Sequence, residues 1–308
     1  MARLIFLVGL PGAKKTEYGR RLAKETKSTL ISLDKIRSQL RFVNEDISED
    51  KIFTQCNNEI IKILRSGHDC IYDATNVKAR RRKHFVNSTL KNVEYEKICV
   101  VMATPYKECI KNNEKRGCPI TNEIIKQMYY NWETPAHWEG WDKIWIHYDN
   151  PEWMTMNGTP NDFIKNTFWY DQSTPYHLNS LGVHSCRVQD YVRESLTKVD
   201  IWKRNEKWNK VNVEIAALLH DCGKPLTKER NGNKTTYYSH HNVGAYEALF
   251  FKYGKEIDPV YVSNLINYHM TPYFWDGQKS RITAIRRWGR DFFEDIMTIY
   301  EADEKGKR

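Results

Sequence analysis

The stretch that most constrains this chain lies at its beginning. Leu4-Ile5-Phe6-Leu7-Val8 is a continuous apolar run, followed at once by Gly9-Leu10-Pro11-Gly12-Ala13-Lys14-Lys15-Thr16 and then by a helical stretch, Glu17 to Lys27. A run apolar at every position suits a strand buried on both faces of a parallel sheet. Strand, glycine-rich turn and helix in that order are the setting of a phosphate-binding loop, whose backbone amides cradle phosphates at a helix N-terminus. Gly9, Gly12, Ala13 and Lys14 would then line the nucleotide, Lys15 would reach its β/γ-phosphates and Thr16 would hold Mg²⁺. The pattern G-x-x-x-x-G-K-[ST] wants glycine at position 14, where this chain has lysine. That glycine usually takes a conformation a β-carbon resists, at a cost on the order of 1–2 kcal/mol. A long side chain there could also crowd the nucleotide.

Four more apolar runs follow: Thr29 to Leu33 ending at Asp34, Cys70 to Tyr72 ending at Asp73, Ile98 to Ala103, and Lys143 to His147. Helical stretches lie between them, so the first half reads as alternating β and α, a parallel sheet flanked by helices. Carboxylates at the C-terminal ends of two strands stand where an open parallel sheet places its active site. The competing reading of each aspartate is a helix N-cap. Arg80-Arg81-Arg82-Lys83 is four cations in a row on a helix, pointing in different directions; solvated surface and non-specific contact with a polynucleotide backbone both fit.

Leu33-Asp34-Lys35-Ile36-Arg37, Tyr72-Asp73-Ala74-Thr75-Asn76 and Asn113-Glu114-Lys115-Arg116-Gly117 stand in the order seen in bacteriophage-type 5′-polynucleotide kinases, which the first 150 residues resemble. The resemblance implies ATP with Mg²⁺ as cosubstrate and a polynucleotide 5′-hydroxyl as acceptor. Asp34 would be the general base, and Arg37 would contact the acceptor strand's phosphate. Asp73 and Asn76 would belong to the acceptor site. Arg116, on a basic lid helix, would meet the nucleotide and neutralise charge on the transferring phosphoryl group. Taken alone, Arg116 reads equally as a solvated helix charge.

From 151 to about 174 the chain reads as a packed linker, with Pro151, Gly158 and Pro160 among Trp153, Phe168, Trp169 and Tyr170. Residues 1–150 and 151–308 are therefore expected to form two domains, the second all-helical. Its most informative stretch is Ala216-Ala217-Leu218-Leu219-His220-Asp221-Cys222-Gly223-Lys224, a buried helix ending in two metal-capable side chains. An imidazole and a carboxylate buried together require a cation or hydrogen-bond partners; a helix C-terminus before a glycine is the bland reading. Further histidines fall at His177, His184, His240, His241 and His269, and Asp303 follows near the end on what is expected to be a short helix. Imidazole with carboxylate suits a catalytic divalent transition metal, and the absence of cysteine ligands argues against a structural zinc.

Leu181 to Ser185, Leu218 to Pro225, His240 to Ala245, Leu265 to His269 and Ala302-Asp303 together resemble the HD phosphohydrolase superfamily. By that resemblance His184, His220, Asp221 and Asp303 would hold one metal. His240 and His269, bridged by Asp221, would hold a second. His240 is preferred to His241 because it stands four residues before Gly244. Lys224 would bind a substrate phosphate oxygen or the leaving group, with Arg187 or His177 assisting.

Composition narrows the class further. A 40% apolar and 13% aromatic chain with a formal charge of +9 is not disordered, and its basic excess is compatible with a phosphate-rich partner or a lysine-rich surface. Seven cysteines without a CxxC pair read as reduced and structural. No apolar run has the length of a signal peptide or a membrane span, so a cytoplasmic protein without membrane partners is expected.

These readings converge on a nucleic-acid (RNA or DNA) end-healing enzyme: a 5′-kinase half, and a metal-dependent half that removes 2′,3′-cyclic or 3′-phosphates before a separate RNA ligase acts. Two rivals remain. One is an HD hydrolase of nucleotides or cyclic nucleotides, with a degenerate regulatory phosphate-loop domain. The other is a nucleic-acid-binding adaptor with a structural metal.

Overall fold

In the computed structural model, which describes residues 1–117, 119–175, 178–232 and 234–307, the chain divides into two units. Cys118 and His177 lie outside the described residues; the other six cysteines are free, five of them buried. The first unit comprises Met1–Met128 and Pro135–Pro151, and the second takes Tyr129–Thr134 together with Glu152–Arg308.

The first unit is a parallel sheet of β1 (Arg3–Val8), β2 (Thr29–Ser32), β3 (Cys70–Asp73), β4 (Glu96–Met102) and β5 (Lys143–His147), in the order β2-β3-β1-β4-β5. Helices α1 (Lys15–Thr26), α2 (Leu33–Val43), α3 (Glu49–Arg65), α4 (Ala79–His84), α5 (Tyr106–Glu114) and α6 (Asn122–Tyr130) connect these strands or follow them. β1 is central because its side chains are apolar on both faces: Leu4, Phe6, Leu7 and Val8 are at most 1% exposed. From β1 the chain crosses to β2 on one side, and from β3 it crosses back over β1 to β4. The crevice at the C-terminal ends of β1 and β3 is thus the switch point at which open parallel sheets bind ligands.

The Arg80–Lys83 run is not simply a solvated face. Arg82 is completely buried, its Nε and Nη2 donating to Glu139 Oε2 and Oε1 at 2.8 and 2.7 Å and its Nη1 to the Asn76 carbonyl at 2.8 Å. Trp141 Nε1 adds a fourth bond, to Glu139 Oε2 at 3.0 Å. Removing one partner strands a buried charge. Arg82→Ala is therefore expected to destabilise the first unit by roughly 3–5 kcal/mol, read in a urea titration; a change below about 1 kcal/mol would contradict this account of the pair.

In the second unit, the segment expected as linker contains a helix, α7 (Pro160–Thr167). It starts where Thr159 accepts from the Asp162 amide and Asp162 bonds back to the Thr159 backbone. Then come α8 (Leu181–Leu196), α9 (Lys210–Leu219), α10 (Lys224–Thr227), α11 (His240–Glu247), α12 (Pro259–Tyr268), α13 (Gly277–Trp288) and α14 (Arg290–Gly306). α8 packs on α9 and α14, α9 on α12, and α12 on α11. α9 is the core: Ala216, Ala217, Leu218 and Leu219 are all buried. One expectation is corrected: Asp303 lies on a helix of 17 residues, not a short one. As expected, the unit is helical, with one short antiparallel hairpin among its described residues, β6 (Glu229–Asn231) and β7 (Lys234–Thr236). No helix among the described residues is long and apolar enough to cross a membrane.

Candidate functional site

The residues from Gly9 to Thr16 wrap the end of β1. Gly9 N bonds to the Thr75 carbonyl at 3.0 Å, and Ala13 is buried. Gly12 has φ +83°, and a β-carbon there would stand 2.0 Å from the Cys109 carbonyl oxygen, so only glycine fits. Lys14 adopts the left-handed conformation, φ 57° and ψ 24°, immediately before α1. The lysine therefore follows the backbone path expected of the missing glycine and carries the strain itself. Its Nζ is 2.6 Å from Asp149 Oδ2, and that bond holds the ammonium pKa above its ordinary value.

Lys15 is buried, and its Nζ donates to the carbonyls of Gly9 and Leu10 at 3.0 and 2.8 Å. Burial lowers its pKa, against the pull of Asp73. Thr16 Oγ1 donates to Asp73 Oδ2 at 2.6 Å, so Asp73 stands with the hydroxyl expected to hold Mg²⁺. Asn76, with φ 52°, spends its side-chain amide on the Leu7 carbonyl at 2.9 Å, tying the turn after β3 to β1.

At the start of α2, Asp34 is 73% exposed; its Oδ1 accepts from Arg37 Nη1 at 2.5 Å, and its Oδ2 lies 4.0 Å from Arg116 Nη2. Arg37, one helical turn on, and Arg116, from far along the chain, thus meet around one carboxylate. Arg37 is further anchored by Glu49, whose Oε1 accepts from its Nε at 3.0 Å. Arg116 lies beyond the end of α5 and not on a lid helix.

In the second unit, α8, α9, α11, α12 and α14 bring the six expected ligands together. His184 Nε2 is 3.0 Å from Asp303 Oδ1 and 3.7 Å from Asp221 Oδ2. His220 Nε2 is 3.1 Å from Asp221 Oδ2 and 3.7 Å from Asp303 Oδ1. The other oxygen, Asp221 Oδ1, faces His240 Nε2 at 3.2 Å and His269 Nε2 at 3.9 Å. All six residues are buried. His241 belongs to neither group, and Arg187 is exposed.

The backbone sets the tautomers. His184 Nδ1 bonds to the Gly306 carbonyl, His220 Nδ1 to Ala217, His240 Nδ1 to Tyr237 and His269 Nδ1 to Ile266, at 3.1, 2.7, 2.8 and 2.8 Å. Each Nδ1 must carry the proton, which leaves each Nε2 lone pair aimed inward. Lone pairs then face one another, at 3.3 Å between His184 and His220 and 3.4 Å between His240 and His269. Asp303 Oδ1 is buried beside them without a hydrogen bond. With all four rings neutral such an arrangement repels itself, and metal ions, or in their absence a proton on His220, relieve it. Ligand spacings of ~3 Å are what bonds of ~2.1 Å to a shared ion require.

Two groups could hold a metal, His184–His220–Asp221 and Asp221–His240–His269, with Asp221 common to both. Without metal, burial opposes charge on His220, but Asp221 and Asp303 outweigh it and push its pKa up to about 10. Burial with His220 and His240 keeps His269 neutral. Burial likewise opposes ionisation of Asp221, yet Lys224 and His220 hold it well below the usual carboxylate range.

Lys224 is buried, with Nζ 2.7 Å from both Asp221 Oδ2 and Gln172 Oε1. Gln172, itself 1% exposed, is a site residue that sequence reasoning passed over. Gly223 lets the backbone pass close against α11, since a β-carbon there would meet the His240 carbonyl oxygen at 2.1 Å. Metal stripped by chelation should lower the thermal midpoint of the second unit by several degrees. Restoration by Mn²⁺ or Zn²⁺ is the expected companion result; a midpoint indifferent to both treatments would contradict the cluster's reading.

Residues 4–135 match the family model described as AAA domain, and residues 181–304 match the HD domain. The chain is 27% identical over 239 residues to L-seryl-tRNA(Sec) kinase of Methanococcus maripaludis, covering 73% of this chain and 89% of that protein. Among solved structures it is similar to a gluconokinase from Sinorhizobium meliloti 1021, at 12% identity and TM-score 0.35 over 48% of this chain and 84% of the other. It is also similar to a chain of the Pnkp1/Rnl/Hen1 RNA repair complex, at 22% identity and TM-score 0.37 over 42% and 43%. The protein therefore joins a P-loop domain of kinase type to an HD phosphohydrolase domain.

Proposed function

We propose that this chain is an RNA end-healing enzyme, with ATP-dependent phosphorylation of 5′-hydroxyl ends in the first unit and metal-dependent removal of 2′,3′-cyclic or 3′-phosphates in the second. The observation that carries the reading is the meeting of Asp34, Arg37 and Arg116 at the loop edge of the sheet that also bears Lys15, Thr16 and Asp73. Asp34 takes the proton from the attacking hydroxyl, Arg37 holds the acceptor strand's phosphate, and Arg116 neutralises charge on the moving phosphoryl group. Lys15 leaves its two carbonyls for the β/γ-phosphates, while Thr16 and Asp73 hold Mg²⁺. Asn76 keeps the β3 turn in register.

In the second unit His184, His220, Asp221 and Asp303 hold one divalent ion, and Asp221, His240 and His269 a second. Ions bound there supply an acidified water and a polarised phosphoryl oxygen. Lys224, positioned by Gln172, neutralises a phosphate oxygen of the substrate or the leaving group. The products, a 5′-phosphate and a free 3′-hydroxyl, are the ends a separate RNA ligase joins.

The test is one incubation of the purified chain with ATP, Mg²⁺ and Mn²⁺ and end-labelled oligonucleotides carrying 5′-hydroxyl and 3′-phosphate or 2′,3′-cyclic termini. No change at either end would overturn the proposal. Since a relative acts on L-seryl-tRNA(Sec), seryl-tRNA belongs beside the 5′-hydroxyl acceptor as a second arm. The rival reading, a regulatory first unit, needs Lys14 to disable the loop. With Lys14 already in the glycine-like conformation and its side chain tied to Asp149, Lys14→Gly is expected to change 5′-phosphorylation by no more than about threefold. It relieves on the order of 1 kcal/mol of strain and gives up an exposed ion pair worth about 0–1 kcal/mol. An inactive parent rescued by Lys14→Gly would favour the rival.

A further inference from the structure

The second unit carries a face that none of the chemistry above uses. Between Gly277 and Arg290 the chain holds five cations, Lys279, Arg281, Arg286, Arg287 and Arg290, and no acidic residue. Lys279, Arg281 and Arg286 are exposed and pair with no carboxylate among the described residues. Two cavities open beside α13, one on each flank of the helix. One of about 560 Å³ is lined by Tyr273, Trp275, Gln278, Arg281 and Tyr300 among others, and one of about 330 Å³ by Trp275, Lys279, Thr283 and Arg287 among others.

Trp275 lines both cavities, and its ring is braced by a stacked contact with Phe293, ring centroids 5.6 Å apart. Next to it Phe274 is 78% exposed. Aromatic surface left open among unpaired cations is an arrangement that single-stranded nucleic acid fits in both its parts. Bases stack on the rings and phosphates meet the cations. The position is equally informative. Tyr273 lines the larger cavity, and its hydroxyl oxygen is 2.7 Å from Asp303 Oδ2, within the metal-ligand cluster.

We infer that this face is a track for a single-stranded polynucleotide, RNA or DNA, leading its terminal phosphate to the His–Asp cluster. Bases stack on Trp275 and Phe274, Arg281 takes a phosphate on the flank of α13 at the larger cavity and Lys279 one on the flank at the smaller, and Tyr273 with Tyr300 walls the end nearest Asp303. The destination rests on the proposed end-removal activity; the binding does not.

Fluorescence anisotropy on the full chain, with labelled oligouridylate and its DNA counterpart over a salt series, tests it. Lys279→Glu with Arg281→Glu is expected to raise the Kd at least tenfold and to flatten the log–log salt slope by about 1.4, about 0.7 for each phosphate no longer neutralised. Trp275→Ala is expected to raise the Kd roughly tenfold. In the unmutated protein, a 4-thiouridine oligonucleotide should crosslink to the peptide spanning residues 271–288. Weaker binding of both sugars, or of one alone, supports the track and names the strand it takes. Unchanged affinity and slope in the variants, or crosslinks confined to other segments, overturn it. Binding through this face by a metal-loaded protein that leaves 3′-phosphate and cyclic ends intact would keep the track and reject the end-removal reading.

Discussion

Asp221→Ala is expected to empty both metal positions at once and to lower phosphohydrolase turnover by roughly 10³-fold or more. The reason is geometric: Oδ2 serves the His184–His220 group, and Oδ1 serves the His240–His269 group. No other described side chain belongs to both candidate groups. Asp303→Ala touches only the first group, so it should strip one metal and leave the His240–His269 pair its carboxylate. Elemental analysis alongside turnover separates the two variants. If Asp221→Ala keeps two equivalents of metal, the bridging role is wrong. A folding control is needed because the change also removes the carboxylate 2.7 Å from the buried Lys224 ammonium. Asp221→Asn retains the shape and hydrogen-bonding capacity while weakening the ligand, and should show the same metal loss with little change in far-UV circular dichroism.

What could be read from the chain alone divides along physical lines. The central strand β1 was legible because a strand buried on both faces is apolar along its run, and the edge strands β2 and β5 by shorter apolar runs set between helical stretches. The six ligand candidates were legible for a different reason. Burying His220 beside Asp221 is costly unless compensated, which drew attention to that pair. A single helical histidine carries little signal, and the full set was named by the resemblance to the HD superfamily because the meeting point depends on five helices. Arg82 escaped because four cations in a row look alike; only the helix's orientation turns one inward, and its partner Glu139 stands 57 residues away. Gln172 escaped because an uncharged amide in a proline-containing segment carries no local signal of the lysine it positions. The hairpin at 229–236 did leave a signal, Asn231-Gly232 between short polar runs, that was outweighed by the helical periodicity around it. Lys14 marks the opposite limit. The departure from the loop pattern was plain, but whether lysine would bend the loop or submit to it depended on Asp149, 135 residues on.

The kinase half makes the second large prediction. Asp34→Ala is expected to lower 5′-phosphorylation by roughly 10²–10⁴-fold, the usual contribution of a positioned general base, while leaving ATP affinity within about twofold. The separation follows from placement. Asp34 sits after β2 with Arg37 and Arg116, whereas the nucleotide-facing groups Lys15 and Thr16 sit after β1 and bond to Gly9, Leu10 and Asp73. Lys15→Met should therefore behave differently, weakening ATP binding and turnover together. Arg37→Ala should act mainly on the KM for the oligonucleotide, since its other anchor, Glu49, keeps it beside the acceptor position and away from the loop. An Asp34→Ala protein that phosphorylates 5′-hydroxyl ends at the parent rate would remove the base from the scheme. The Asp34–Arg37–Arg116 meeting would then be a surface ion-pair cluster and nothing more. Equal losses of ATP affinity in Asp34→Ala and Lys15→Met would instead place Asp34 in the nucleotide site and require the acceptor to approach from elsewhere on the sheet edge.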